Sequence, residues 1–170
     1  MNFKAASHYS VDENYPAREG QMVLGSYLRN KKTDVFCMAE TKLKEEIYAN
    51  FQQEGFKTWR RDREGRRGGG VLIMVKEDMA VERVQYRDSL AEVIGITIRT
   101  NGRDRRKIIV TCVPPRTKTW KLEEYKTKQK VALKCLGDMM RKDRKVLLVG
   151  DFNCKGVNWK EMEWSGTAGS

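Results

Sequence analysis

Val35-Phe36-Cys37-Met38-Ala39, Val71-Leu72-Ile73-Met74-Val75 and Val146-Leu147-Leu148-Val149 are unbroken apolar runs of four or five residues, bounded by charge or glycine. The first two read as buried strands and the third as the last clear strand of the chain. The first starts at Asp34 and stops at Glu40, so it aims a carboxylate outward from its end; the third starts at Lys145 and runs into Gly150-Asp151-Phe152-Asn153. Phe56 to Arg61 adds a further strand. Ala91 to Arg99 has the β-branched content of another, Asn101-Gly102 is a hairpin turn signal, and Lys107 to Val113 is the returning strand that Pro114-Pro115 ends. Helical spacing fills the gaps. Gln21 to Arg29 carries Leu24 and Leu28 four apart beside Met22 and Tyr27. Leu43 to Phe51 predicts a short helix with Glu45 and Glu46 in its early turns, closed by Glu54-Gly55. From Thr119 to Lys142, Leu122, Tyr125, Ala132, Leu136 and Met139 recur on one face with lysines between them. Strands mixed with helices, without repeat or linker, predict one α/β (α+β) domain over residues 1–170.

Composition narrows the class of function. A chain of 170 residues suffices for one well-buried core. No apolar run approaches the roughly 18 residues of a membrane span, and the first residues lack the apolar centre of a signal peptide, so a soluble, unsecreted protein is expected. Lys and Arg number 34 against 23 Asp and Glu, a net charge of +11. Residues 1–58 hold 8 basic and 8 acidic groups, and the whole excess, 26 against 15, lies from Trp59 onward. A regional surplus of this kind suits a polyanion such as nucleic acid or an anionic membrane, although a solvated lysine-rich surface would look the same in composition.

Cys37, Cys112, Cys135 and Cys154 stand singly, with no Cys-x-x-Cys pair and a lone histidine, His8. That argues against zinc, predicts free thiols rather than a disulfide framework, and weakens a Ser-His-Asp or Cys-His hydrolase, whose base would have to be that one histidine. No Gly-x-Gly-x-x-Gly or phosphate-loop motif follows any strand, so nucleotide-cofactor readings fail and no small-molecule cofactor is expected. What remains is oxygen chemistry. Glu40 and Asp151 each end an apolar strand, and Asn153 follows two residues later. Two carboxylates with an amide suit Mg²⁺, with Mn²⁺ as a substitute, because Mg²⁺ binds through one or two carboxylates plus a substrate phosphate and keeps much of its water. Taken singly, each motif is equally an acid placed in a turn after a strand.

Together the motifs are more specific. Ala39-Glu40-Thr41, Gly68-Gly69-Gly70-Val71, Val113-Pro114-Pro115 and Gly150-Asp151-Phe152-Asn153 occur in this order, and with them the chain resembles the endonuclease/exonuclease/phosphatase superfamily. Trp59-Arg60-Arg61-Asp62-Arg63 before the glycines, and Asn153-Cys154-Lys155-Gly156-Val157-Asn158-Trp159 after the acid, make Tyr27 to Gly166 most similar to the apurinic-type endonuclease domain of non-LTR (LINE-like) retrotransposons. The resemblance implies a four-layer α/β sandwich with the active site at one edge. It implies that Glu40 holds Mg²⁺, that Asp151 orients or deprotonates the attacking water, and that Asn153 donates to the phosphate. It makes Arg116, Lys118 and Lys155 nucleic-acid contacts, DNA the partner, and the nucleus the place of action; no membrane partner is implied. The product would be a nick with a free 3′-hydroxyl.

Three features depart from the family pattern. The family continues beyond the Gly-Asp-Phe-Asn motif with another aspartate and a terminal Ser-Asp-His, so the resemblance predicts a sandwich incomplete at its C-terminal side, to be finished by a second chain or a further segment. Cys112 stands where the family usually has a phosphate-contacting tyrosine. Near the N-terminus, Asn14 is the nearest candidate for the family's metal-site asparagine, with no role assigned. Two alternatives therefore accompany the endonuclease reading: a catalytically inactive remnant that binds nucleic acid or serves as an interaction module, and a phosphatase of the same superfamily acting on lipid or small phosphates.

Overall fold

The computed structural model describes residues 1–6, 17–41, 52–63, 68–87, 91–100, 102, 104–141 and 145–153. In chain order these form β1 (Phe3–Ala6), α1 (Ala17–Asn30), β2 (Val35–Ala39), β3 (Phe56–Arg61), β4 (Val71–Lys76), β5 (Ala80–Tyr86), β6 (Glu92–Arg99), β7 (Arg105–Cys112), α2 (Leu122–Met140) and β8 (Val146–Asp151). The helix expected over Leu43 to Phe51 lies outside the described residues. Two four-stranded sheets result, ordered β1-β2-β4-β3 and β5-β6-β7-β8. β1 pairs with β2, and β7 with β8, in parallel; the other pairings are antiparallel.

The apolar runs explain the layering. β2 is buried along its whole length because both of its faces are covered. Val35 and Cys37 join Val71, Ile73 and Val75 of β4 in facing Ile94, Ile96 and Ile98 of β6 and Ile108, Val110 and Cys112 of β7, which forms the central core between the sheets. On the other face, Phe36, Met38, Leu72 and Met74 meet Leu24 and Leu28 of α1. Ala132, Leu136 and Met139 of α2 cover Val93, Ile109 and Val113 on the outside of the second sheet. The architecture is a four-layer α/β/β/α sandwich, as expected.

Several details differ from the periodicity. Met22 and Tyr27 of α1 and Leu122 of α2 are exposed, since a helix on a sheet buries a narrow stripe and these positions fall beside it. β1 and β5 carry no sequence signal. β1 is an edge strand of four residues, and β5 is an edge strand with a register shift between Val81 and Arg83, so neither needs a continuous apolar run. The hairpin between β6 and β7 closes at Thr100, whose N–H donates to the Asp104 carbonyl at 2.9 Å, with Gly102 at φ +78° inside the loop. β8 extends through Gly150 to Asp151, which makes the acid a paired strand residue. Lys107 of β7 is buried and donates to the Met139 carbonyl at 2.5 Å, capping a helix end that has no basic residue of its own in the last turn.

Candidate active site

β2, β7 and β8 end, and β4 and β6 begin, at one end of the sandwich. Register brings three polar groups side by side there: Glu92 pairs with Cys112, and Cys112 with Asp151. Strand residues alternate faces, and Cys112 continues the inward series Ile108 and Val110. Glu92, two residues before Ile94, and Asp151, two after Val149, share that face, so all three project into the gap between the sheets.

The first sheet supplies the opposite wall. Ala39 pairs with Val71, and Glu40 follows at φ +54°. Gly68, Gly69 and Gly70 lie at φ +82°, +78° and +87°, a left-handed succession closed to side chains with a Cβ. The loop touches both partners of the site. A Cβ on Gly70 would strike the Thr41 hydroxyl, and one on Gly69 would strike the Arg63 guanidinium. Buried Thr41 is bound to this loop, its N–H donating to the Gly70 carbonyl at 3.3 Å and its hydroxyl to the Gly69 carbonyl at 3.4 Å. Glu40 is thus held between a strand end and a glycine turn.

Cys112 joins the two walls. Its thiol lies near the Glu40 backbone N–H, the Asp151 carboxylate and the Arg63–Glu92 pair; burial first, then the carboxylate charge of Glu92, pushes its pKa up to about 11. At neutral pH it is a thiol, a weak donor and a poor nucleophile. Arg63 donates from Nε and Nη2 to the two Glu92 oxygens, both at 2.7 Å, and Nη2 also reaches Cys112 Sγ at 3.7 Å. Burial works against the charged guanidinium, but its bond to Glu92 and the Glu92 charge prevail and raise its pKa. Both side chains are largely hidden, at 12% and 8% exposure.

Asp151 and Asn153 form a closed turn. The Asn153 N–H donates to Asp151 Oδ1 at 3.0 Å, Asn153 Nδ2 donates to the Val113 carbonyl at 2.7 Å, and the Val113 N–H donates to the Asp151 carbonyl at 2.8 Å. Asn153 has φ +45°, and together with Glu40 it makes two of the three left-handed non-glycine residues among those described. Such backbone strain concentrates at functional sites.

The sequence-predicted residues divide accordingly. Glu40, Asp151 and Asn153 share one end of the sandwich. Arg116 and Lys118 are exposed on the loop that leaves β7 just after Cys112, with Arg116 Nε donating to the Trp120 carbonyl at 3.3 Å. Trp120 is a packed anchor: its ring lies 5.7 Å from Tyr125 and 4.9 Å under the Lys128 ammonium, while the Tyr125 hydroxyl donates to the Pro114 carbonyl at 3.0 Å. Lys155, Cys154, Trp159, His8 and Asn14 lie outside the described residues. Cys37, Cys112 and Cys135 are free thiols. Sequence reasoning missed the Arg63–Glu92 pair. The available signal was a glutamate in the inward frame of Ile94, Ile96 and Ile98, a position no acid occupies without a partner.

Among the described residues no three His, Cys, Asp or Glu side chains group as a cage for a metal ion, and no helix is long and apolar enough to cross a membrane. An oxygen donor set of one carboxylate plus substrate fits Mg²⁺ and does not fit zinc.

Comparison with known proteins agrees with the geometry. A profile described as "Endonuclease/Exonuclease/phosphatase family" matches residues 17–167. No curated protein is significantly similar to the chain. Similar solved structures include the Xenopus laevis APE2 catalytic domain, with 16% identity, a TM-score of 0.62, and coverage of 91% of this chain and 59% of that one. Another is the Neisseria 3′ phosphatase NExo bound to a product DNA hairpin, at 16% identity and TM-score 0.60, covering 92% and 58%. A third is D. rerio TDP2 with a single-strand DNA product, at 12% identity and TM-score 0.58, covering 89% and 60%. At these identities the likeness is one of fold. The chain spans about three fifths of the length of these structures.

Proposed function

Because the chain belongs to the endonuclease/exonuclease/phosphatase family, we propose that it is a Mg²⁺-dependent DNA endonuclease domain of non-LTR retrotransposon type, acting in the nucleus. The observation that carries this reading is that the Glu40 backbone, from the first sheet, and the Asp151 carboxylate, from the second, both lie beside the Cys112 thiol. Asp151 Oδ1 is tied to the Asn153 N–H. Proton transfer from the attacking water therefore falls to Oδ2, which has no hydrogen-bond partner among the described residues. Asn153 keeps one Nδ2 hydrogen on the Val113 carbonyl and directs the other toward the phosphate, where charge develops in the transition state; loss of such a donor typically costs about 100-fold or more. Glu40 would hold the metal, which when bound supplies polarisation of the scissile phosphate and neutralisation of the leaving oxygen. Arg116, Lys118 and Lys155 supply phosphate contacts that fix the duplex without reading bases. The cut leaves a 3′-hydroxyl.

The DNA in the NExo and TDP2 structures supports DNA as the partner here. A second reading, binding without cleavage, is favoured by Cys112, whose high-pKa thiol is a weak donor beside the reacting phosphate.

Supercoiled-plasmid nicking in Mg²⁺, with EDTA and the Asp151→Asn and Glu40→Gln variants alongside, separates the readings. Metal-dependent nicking lost in both variants supports the endonuclease. Folded protein that retards DNA, never nicks it and is indifferent to both substitutions supports binding alone. Phosphate release from lipid or small phosphates without DNA would replace both with a phosphatase.

A further inference from the structure

We infer that Arg63 is a phosphate-binding residue of this site, its guanidinium donating to a non-bridging oxygen of the bound phosphodiester. The inference rests on the phosphodiester reading above and adds a residue to it. Arg63 is held with unusual firmness: the two parallel bonds to Glu92 fix the plane of the guanidinium, and the bare α-carbon of Gly69 makes room for it. What the pair faces is a mismatch. Nη2 extends beyond Glu92 to Cys112 Sγ at 3.7 Å, a long contact to a weak acceptor. A charged N–H directed at a thiol is an underused donor, and a phosphate oxygen is the acceptor it suits. Register places that donor on the site: Glu92, Cys112 and Asp151 are successive neighbours across β6, β7 and β8.

Pairing with Glu92 also decides the kind of contribution. The pair sums to zero charge, so it adds little long-range attraction for DNA. Its contribution is a pre-oriented hydrogen bond at short range, with little side-chain entropy left to lose on binding. Arg63 should therefore behave unlike Arg116 and Lys118, whose charges act through counterion release.

The test uses the Arg63 Nε–H resonance of the intact ¹⁵N-labelled protein, assigned by its loss in Arg63→Lys and titrated with a thymidine dinucleotide carrying a single phosphodiester. The expected result is a saturable shift of the Arg63 signal that sodium chloride at matched ionic strength does not reproduce. An Arg63 signal that stays still overturns the inference, whether or not the backbone amides of Asp151 and Asn153 respond. In plasmid nicking, Arg63→Gln is expected to lower kcat by about 100-fold; unchanged nicking in a folded variant also overturns it. The two proposals fail separately. A shifting Arg63 without nicking rejects cleavage and keeps the phosphate site, and nicking indifferent to Arg63→Gln does the reverse.

Discussion

Breaking the Arg63–Glu92 pair on one side should cost far more than removing it whole. Glu92→Leu leaves a guanidinium, only 12% exposed, against Cys112 and the glycine loop with no anion beside it; Arg63→Met leaves the carboxylate, 8% exposed, in the frame of Ile94, Ile96 and Ile98. A buried ion pair cut on one side typically loses about 3–5 kcal/mol, whereas replacing both partners with apolar groups of similar size is close to neutral. Against a typical domain stability of about 5–15 kcal/mol, each single variant should fall markedly in urea midpoint. The Arg63→Met/Glu92→Leu double variant should return toward the parent, with a coupling energy of about 3 kcal/mol. Urea unfolding followed by tryptophan fluorescence measures all four proteins, and comparison of midpoints requires equal slopes. Single losses below about 1 kcal/mol, as for surface pairs, would refute the reasoning. So would a double variant whose loss equals the sum of the singles, because independent groups add.

Other predictions follow from single contacts. A Cβ at Gly150 would meet the Thr111 carbonyl of β7, a backbone atom that cannot swing away, so Gly150→Ala should cost about 1–3 kcal/mol and displace Asp151; a urea midpoint and a nicking assay check this. Leu136→Ala, in a fully covered layer between α2 and the second sheet, should cost about 2–5 kcal/mol, whereas Leu133→Ala on the exposed side of the same helix should change the midpoint little. Burial raises the Asp34 pKa, but the Asn2 N–H at 2.6 Å and the Lys76 ammonium at 3.0 Å outweigh it and hold it below the usual 3.8. A depressed folded-state pKa means that its stabilisation is present above 3.8 and is lost as pH falls through the lower folded value. The stability gap between the parent and Asp34→Asn should therefore be constant at higher pH and shrink only below that point, as acid-range unfolding curves would record. Arg116→Ala and Lys118→Ala should each lower the slope of log affinity against log salt by about 0.9 on duplex DNA, without changing sequence preference, in a fluorescence titration.

Much of the fold was legible because apolar runs have few ways to be satisfied. Val35–Ala39 and Val71–Val75 could only be strands covered on both faces, and the stripe of Tyr125, Ala132, Leu136 and Met139 could only be a helix lying on a sheet. Glu40, Asp151 and Asn153 were legible as acids and an amide at strand ends. β1 and β5 were not, because β1 has only four residues and β5 alternates exposed and half-buried positions, so neither carries an apolar run. Nor was the outward turn of Met22, which depends on where a sheet meets the helix rather than on spacing alone.

By itself the sequence determined the inventory: which segments must be buried, which end in oxygen ligands, where the basic excess lies, and that no zinc or nucleotide motif is present. Only the tertiary structure decided which of those groups meet. Arg63 and Glu92 are 29 residues apart and Cys112 and Asp151 are 39 apart. Strand register brings Cys112 beside both Glu92 and Asp151, and sheet-on-sheet packing brings the Glu40 backbone to the same thiol. Local patterning specifies each strand's faces; the choice of neighbour is made by non-local pairing, where a shift of one residue would have turned Glu92 and Asp151 away from the gap between the sheets.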